Sequence, residues 1–317
     1  MGHYSGIRAA VVGASGFIGR WVAGKLIEAG ADAGLIVRER SQVSGLAAEV
    51  FETDLARPGE VEKVLTQFRP AIVFNLAGYG VDPAERDEVL AERLNADLPR
   101  EICVAAAVRK DPGWTGQHVV HVGSALEYGI VGRDLREDGP ACPTTAYGQS
   151  KLRGTLAVTE CCRGLGLRGL TARLFTVYGP GEHSRRLLPS LMQAAETGGP
   201  VDLTAGLQQR DFTYVEDVAE GLLRLGVSAA APGRVVNLAT GRLNSVRKFV
   251  ETAARLLGLP ESRLKFGALP TRVEEMRHDP VNVAALREIT GFVPATEVEN
   301  GIKRTLEWKD NQSERVN

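Results

Sequence analysis

The sequence predicts an α/β fold, a doubly wound parallel sheet with helices on both faces. Three observations carry this. Short β-branched apolar runs alternate with helix-periodic stretches through the first half of the chain. The strand candidates are almost continuously apolar, as strands covered on both sides must be. No repeat, low-complexity segment or long linker interrupts the order.

The elements follow in turn. "AAVVGA" (Ala9–Ala14) reads as a buried strand, and "FIGRWVAGKLIEAG" as a helix ending at Gly30. "GLIVRE" is a second strand and "EVFETDL" a third. Pro58 is expected to open a helix running to about Phe68, since a first-turn proline loses no hydrogen bond. "AIVFNLAG" is a fourth strand, followed by one long helix over about Glu88 to Val108. "HVVHVGSA" is a fifth strand, Tyr147 to about Leu165 a helix, and "LTARLFTVYG" a sixth strand. Crossovers between parallel strands are expected to be right-handed. Beyond Gly179 the pattern loosens. A helix over Leu187–Thr197, the segment "RDFTYVEDVAEGLLRLG", the strand "RVVNLAT" and a helix from Ser245 to Leu257 should pack on the carboxyl edge of the sheet.

Composition narrows the function. The chain has 317 residues, with 38 Lys and Arg against 39 Asp and Glu. A net charge of -1 gives no reason to expect nucleic acid or a membrane surface as partner. Cys103, Cys142, Cys161 and Cys162 form no CxxC pair, which suggests reduced thiols and a cytoplasmic protein. The histidines show no HExxH spacing, so no metal is expected. The first residues lack the form of a signal peptide, and no apolar run approaches the ~20 residues of a membrane helix.

"GASGFIG" places Gly13, Gly16 and Gly19 three apart between a strand and a helix, with Ser15, Phe17 and Ile18 among them. Such glycines let backbone approach a pyrophosphate, and the helix N-terminus supplies N–H groups and a positive dipole end. The pattern points to a Rossmann-type dinucleotide site. An acid at the end of the second strand would hold a ribose 2′-hydroxyl, but "LIVRERS" has Arg38 there. A guanidinium suits a 2′-phosphate, so NADP(H) is favoured, with NAD(H) possible. Asp54 and Leu55 end the third strand near where adenine would lie, and Leu76, Ala77 and Gly78 end the fourth with mostly small residues.

In "TTAYGQSKLR", Tyr147 and Lys151 lie four apart on one helical face. A nearby ammonium would lower the phenol's pKa and could also hold a ribose hydroxyl. Ser124 closes the fifth strand, where its hydroxyl could hold a substrate carbonyl. Together the three could deliver a proton while hydride arrives at carbon.

In its ordered series "GASGFIG", "NLAG", "GSALEYG", "YGQSK", "RLFTVYGPGE", "RDFTYVEDVAEG" and "NGIKRTLEW", the chain resembles the extended short-chain dehydrogenase/reductase family. Within that family it is most similar to the nucleotide-sugar epimerases, dehydratases and ketoreductases. The resemblance implies a Rossmann domain over 1–175, with about 210–240 returning to it, and a smaller substrate lobe over 176–317. It implies Ser124, Tyr147 and Lys151 as catalytic residues, Phe175 and Val177 beside the cofactor, and a homodimer. For the nucleotide-sugar it implies Arg210 and Arg272 at the diphosphate, Leu188 walling the nucleoside, and Ala125 and Thr176 near the sugar. Family dehydratases carry an acid directly after the residue matched by Ser124. Here Ala125 and Leu126 follow, and Glu127 comes one residue late, which on a strand-like segment reverses its side-chain direction. Thr176 stands where the family often has asparagine. The expected activity is NADPH-dependent reduction of a nucleotide-linked 4-keto-6-deoxyhexose. The alternatives are an NAD-dependent nucleotide-sugar 4-epimerase and, less favoured, a dinucleotide-sensing protein without turnover.

Overall fold

A computed structural model describes residues 2–43, 45–82, 84–130, 135–271 and 275–316, with side chains through Asn311. Its first strand, β1 (Arg8–Val12), shows why the fold forms. Ala9 and Val11 face one side and Ala10 and Val12 the other, and all four are buried. A strand apolar on both faces is stable only between two layers. The strands β2 (Asp32–Val37), β4 (Ile72–Asn75), β5 (Val119–Ser124) and β6 (Gly169–Leu174) follow the same logic, while β3 (Glu49–Glu52) is an edge strand that buries Phe51 and exposes its two glutamates. Together with the later strand Arg234–Leu238, these described residues form a seven-stranded sheet. From one edge the order is β3-β2-β1-β4-β5-β6, then the Arg234–Leu238 strand, and every pairing is parallel. The order reverses between β1 and β4, which opens a crevice at the carboxyl ends of these two strands, the usual ligand position in such sheets.

On one face, α1 (Phe17–Glu28) buries Val22 and Leu26. On the other, α2 (Glu60–Phe68) buries Val61 and Leu65. Gly59, in the left-handed region at φ 79°, is the residue before α2. A left-handed residue cannot lie inside a right-handed helix, so α2 starts at Glu60 rather than at Pro58. Acids at 60 and 62 then meet the positive end of the helix dipole.

The long helix expected over 88–108 is three pieces: α3 (Glu88–Glu92), a π-helical turn over Arg93–Asp97, and α4 (Leu98–Val108). Pro99 has no N–H for the Asn95 carbonyl, and Leu98 N–H instead donates back to the Arg93 carbonyl. Helix α5 (Ala146–Gly164) presses closely on this turn. A Cβ at Gly154 would stand 2.0 Å from the Asn95 carbonyl oxygen.

The expected sixth strand is two. β6 ends at Leu174, and after Phe175 the chain leaves the sheet as β7 (Thr176–Tyr178). The remaining elements in chain order are α6 (Leu187–Thr197), β8 (Val201–Leu203), β9 (Gln209–Arg210), β10 (Phe212–Tyr214) and α7 (Val215–Gly226). Next come β11 (Arg234–Leu238), β12 (Asn244–Ser245), α8 (Val246–Leu257), β13 (Leu264–Phe266), α9 (Ala284–Thr290) and α10 (Val298–Val316). β7 pairs with β10, β8 with β13 and β9 with β12. A separate core of Tyr178, Leu188, Leu191, Phe212, Phe249 and Ile302 holds this part together, with Phe212 stacked on Phe249 at 4.3 Å. α7 and α9 instead contribute to the core of the main sheet.

Candidate active site

The glycine loop is shaped by backbone contact. Gly13 has φ 81°, and a Cβ there would stand 2.9 Å from the Ala77 nitrogen at the end of β4. At Gly19 a Cβ would fall 2.1 Å from the Gly13 carbonyl oxygen. Any side chain at either position would push β1, α1 and the Leu76–Gly78 segment apart. Gly16 precedes α1 and supplies no side-chain cap, so the first N–H groups of the helix keep their donor capacity. Ser15, Phe17 and Ile18 lie half-buried beside them. A cradle closed by backbone and an uncapped helix start fit a dinucleotide pyrophosphate. Arg38 is exposed just past β2, with no ion pair among the described residues. Leu55 is buried, while Asp54 turns to Ala56 N–H and Arg57.

Ser124, Tyr147 and Lys151 converge on the same crevice. The Ser124 Oγ accepts Leu126 N–H at 3.2 Å, and the phenol of Tyr147 lies within hydrogen-bonding influence of that hydroxyl. A Cβ at Gly80 would stand 3.2 Å from the Tyr147 ring, so the loop after β4 covers the phenol. Lys151 is buried and donates to the Val122 carbonyl at 2.5 Å. Its amine also lies 3.9 Å from where a Cβ of Gly78 would be. α5 begins at the Thr145 cap, whose hydroxyl accepts Gly148 N–H, and this places Tyr147 on the first turn.

The electrostatics differ from the sequence expectation. Burial, then the Glu127 carboxylate, push the Tyr147 phenol up to about 12. The hydrogen bond with Ser124 and the Arg186 guanidinium pull the other way. Burial draws Lys151 down to about 8, with Glu127 opposing. The amine is held at the Val122 carbonyl and still carries its proton at neutral pH, but it is not among the groups that shift the phenol in the free protein, where burial wins. A phenol that keeps its proton is the form needed to give one to a ketone oxygen.

Three contributors escape the sequence reading, Arg173, Asn95 and Arg186, and a fourth, Glu127, enters it only as an acid one residue late. Glu127 is wholly buried and bonded to Arg173, also buried, at 2.8 Å. Asn95 bonds Tyr79 N–H, the Tyr79 carbonyl and the Ser150 hydroxyl, tying the loop after β4 to α5. Arg186, at the start of α6, faces the phenol. The Ser-x-x-Glu spacing of a capping box hints at Glu127; no local signal marks Arg173, Asn95 or Arg186.

On the substrate side, Phe175 and Thr176 are half-buried where β6 gives way to β7, and Thr176 N–H donates to the Asp211 carbonyl. Val177 and Ala125 are buried. Leu188 is 1% exposed and belongs to the core of the C-terminal part. Arg210 is paired with Glu275 at 2.6 Å, and the neighbouring Asp211 carboxylate accepts the Thr240, Gly241 and Arg242 N–H groups. Arg272 lies outside the described residues. Among the described residues no group of three or more His, Cys, Asp or Glu could hold a metal ion, and no helix is long and apolar enough to cross a membrane.

Comparison with known proteins bears on the family and the fold. The chain is 28% identical over 312 residues to dTDP-6-deoxy-L-talose 4-dehydrogenase (NAD(P)(+)) of Kitasatospora kifunensis, covering 95% of each. It is 26% identical over 329 residues to UDP-glucose 4-epimerase of Mycolicibacterium smegmatis, covering 97% of this chain and all of that one. Among solved structures it is similar to MoeE5 in complex with UDP-glucose and NAD. The TM-score is 0.84 at 26% identity, over 96% of this chain and 99% of the other. The family model for NAD-dependent epimerases and dehydratases matches residues 9–239, and the chain belongs to that family, within the extended short-chain dehydrogenases/reductases.

Proposed function

We propose that this enzyme reduces a nucleotide-linked 4-keto-6-deoxyhexose to its 4-hydroxy sugar. Ser124, Tyr147 and Lys151 act on the sugar, the glycine loop and Arg38 bind NADPH, and the part after β6 binds the nucleotide. When bound, the nicotinamide supplies the hydride. The protein's own work is to hold the ketone oxygen between Ser124 and Tyr147, exclude water, and transfer the phenolic proton to that oxygen.

The observation that carries the reading is Arg38, a guanidinium just past β2 with no ion pair among the described residues. It suits a 2′-phosphate and a cofactor exchanged at each turnover. Elimination of water is disfavoured because Ala125 and Leu126 carry no acid and Glu127 is consumed by Arg173 below the cleft. Arg210 is read as the diphosphate contact, with Glu275 giving way to phosphate oxygens. The likeness to a dTDP-sugar 4-dehydrogenase points the same way. The likeness to a UDP-glucose 4-epimerase and to a protein solved with UDP-glucose and NAD favours a second reading, an epimerase that keeps NAD bound.

Purified protein mixed with NADPH and dTDP-4-keto-6-deoxyglucose should consume NADPH absorbance, and its mass spectrum under native conditions should show no retained dinucleotide. Protein that keeps NAD through purification and interconverts UDP-glucose and UDP-galactose would replace the reductase reading with the epimerase one.

A further inference from the structure

We propose that Glu127 is a positioning residue, held by Arg173 beneath the cleft so that the Ser124 hydroxyl and the Tyr147 phenol meet in a fixed, proton-bearing arrangement. The inference rests on the reading of Ser124, Tyr147 and Lys151 as the reacting groups. A carboxylate wholly removed from water is costly unless it is paired with a cation and hydrogen-bonded on both oxygens. Glu127 meets that condition with donors from three elements: Ser124 N–H at 2.7 Å at the end of β5, the Thr155 hydroxyl at 3.0 Å from α5, and Arg173 Nε at 2.8 Å from β6. Space is reserved for it. A Cβ at Gly123 would stand 2.5 Å from its Oε1. Arg173 is fixed in turn, lying 4.4 Å over the Tyr128 ring, whose hydroxyl donates to Asn237 of β11.

Two consequences reach the cleft. Glu127 and Ser124 form a reciprocal cap, in which Ser124 Oγ accepts Leu126 N–H and its O–H is left to donate upward. Tyr147, Lys151 and Thr155 recur every four residues on one face of α5, so the Thr155 bond anchors the face that carries the phenol. Among the described residues, the groups that act on Tyr147 include Glu127, the Ser124 hydroxyl, Arg186 and Glu85. Those facing Lys151 are Glu127 and a buried, neutral His121. The Glu127 charge disfavours phenolate and favours ammonium, so it helps both groups keep their protons.

The test compares wild type with Glu127→Gln, which keeps size and hydrogen bonding but not charge, and with Thr155→Val and Thr155→Ser. Tyr147→Phe serves as the control. On the free protein, the phenolate absorbance wave that Tyr147→Phe removes should appear about half a pH unit or more lower in Glu127→Gln. With NADPH and dTDP-4-keto-6-deoxyglucose, the alkaline limb of kcat should move the same way, and kcat should fall about tenfold with KM little changed. Thr155→Val should lower kcat at unchanged KM, and Thr155→Ser should restore it; this pair decides the matter should Glu127→Gln not fold. Folded Glu127 and Thr155 variants with wild-type titration and kcat, differing only in melting temperature, overturn the proposal. A Tyr147→Phe protein that still turns over sinks the reacting-group reading instead.

Discussion

The two banks of the crevice are built from opposite materials. The phosphate bank, residues 13–19, works through backbone: glycines whose absent Cβ atoms let three segments touch, and a helix start with no side-chain cap. The reaction bank works through side chains with buried charge behind them: Ser124 and Tyr147 above, Glu127 and Arg173 below. A bank made of backbone answers to volume and is indifferent to pH. A bank made of titratable groups answers to protons, and a change of charge or hydroxyl at nearly constant shape is enough to disturb it. Perturbations can therefore be assigned to one bank or the other by what they alter.

The largest effect is expected on the reaction bank. Tyr147→Phe removes one oxygen and no volume, and should lower kcat by about 10³-fold while leaving dinucleotide affinity unchanged. Paired kcat and cofactor-binding measurements check this; a parallel loss of both would erase the division between the banks. Next comes Glu182, after β7, where the banks are joined by Trp21 of α1 donating to the Pro180 carbonyl. The Glu182 side chain is 6% exposed; its Oε1 accepts from Arg186 at 3.3 Å, and its Oε2 has no hydrogen-bond partner among the described residues. Burial raises its carboxyl from 4.5 to about 7, Arg186 pulling the other way. The unfolded chain releases this proton more readily than the folded one. The contribution to stability is therefore complete below about 4.5 and is lost as pH rises through about 7. Glu182→Gln cannot ionise, so relative to wild type it should gain about 3 kcal/mol between those limits. Melting curves across that range read the gain, and a flat difference would place Glu182 in contact with water.

How much of this was legible follows the same division. The glycine loop and the Tyr147–Lys151 pair are local spacings, and local spacing survives in a string of letters. Leu187–Thr197 begins and ends as its periodicity predicts. The departures come from contacts distant in sequence. Glu127 gives no sign of Arg173, 46 positions away, nor Arg210 of Glu275, 65 away. Nothing in "RLFTVYG" marks Phe175 as the point where one strand leaves the sheet for β10. The direction of the Tyr147 shift was misread because desolvation, which no motif encodes, exceeds the influence of a lysine already bonded to Val122.

On the phosphate bank, Gly19→Ala should be felt as volume alone. The new methyl group has nowhere to go but the Gly13 carbonyl, and overpacking of this kind costs about 2 kcal/mol. Stability and dinucleotide affinity should fall together while the pH profile of the residual activity stays where it was. A displaced pH limb in this variant would mean that the two banks share more than a cleft.

The smallest effect is expected at the rim. Arg38 is exposed, so whatever it contributes to a 2′-phosphate is screened by water and salt. Arg38→Asp should weaken NADPH about tenfold, close to 1.4 kcal/mol, and leave NADH binding level or improved, since an acid can take the 2′-hydroxyl. Wild-type affinity for NADPH should fall as ionic strength rises, more steeply than its affinity for NADH. Fluorescence titration of both dinucleotides at two salt concentrations reads all of this. Equal salt slopes would remove Arg38 from the cofactor and with it the main reason to prefer reduction over epimerisation, leaving the reaction bank, which serves either chemistry, untouched.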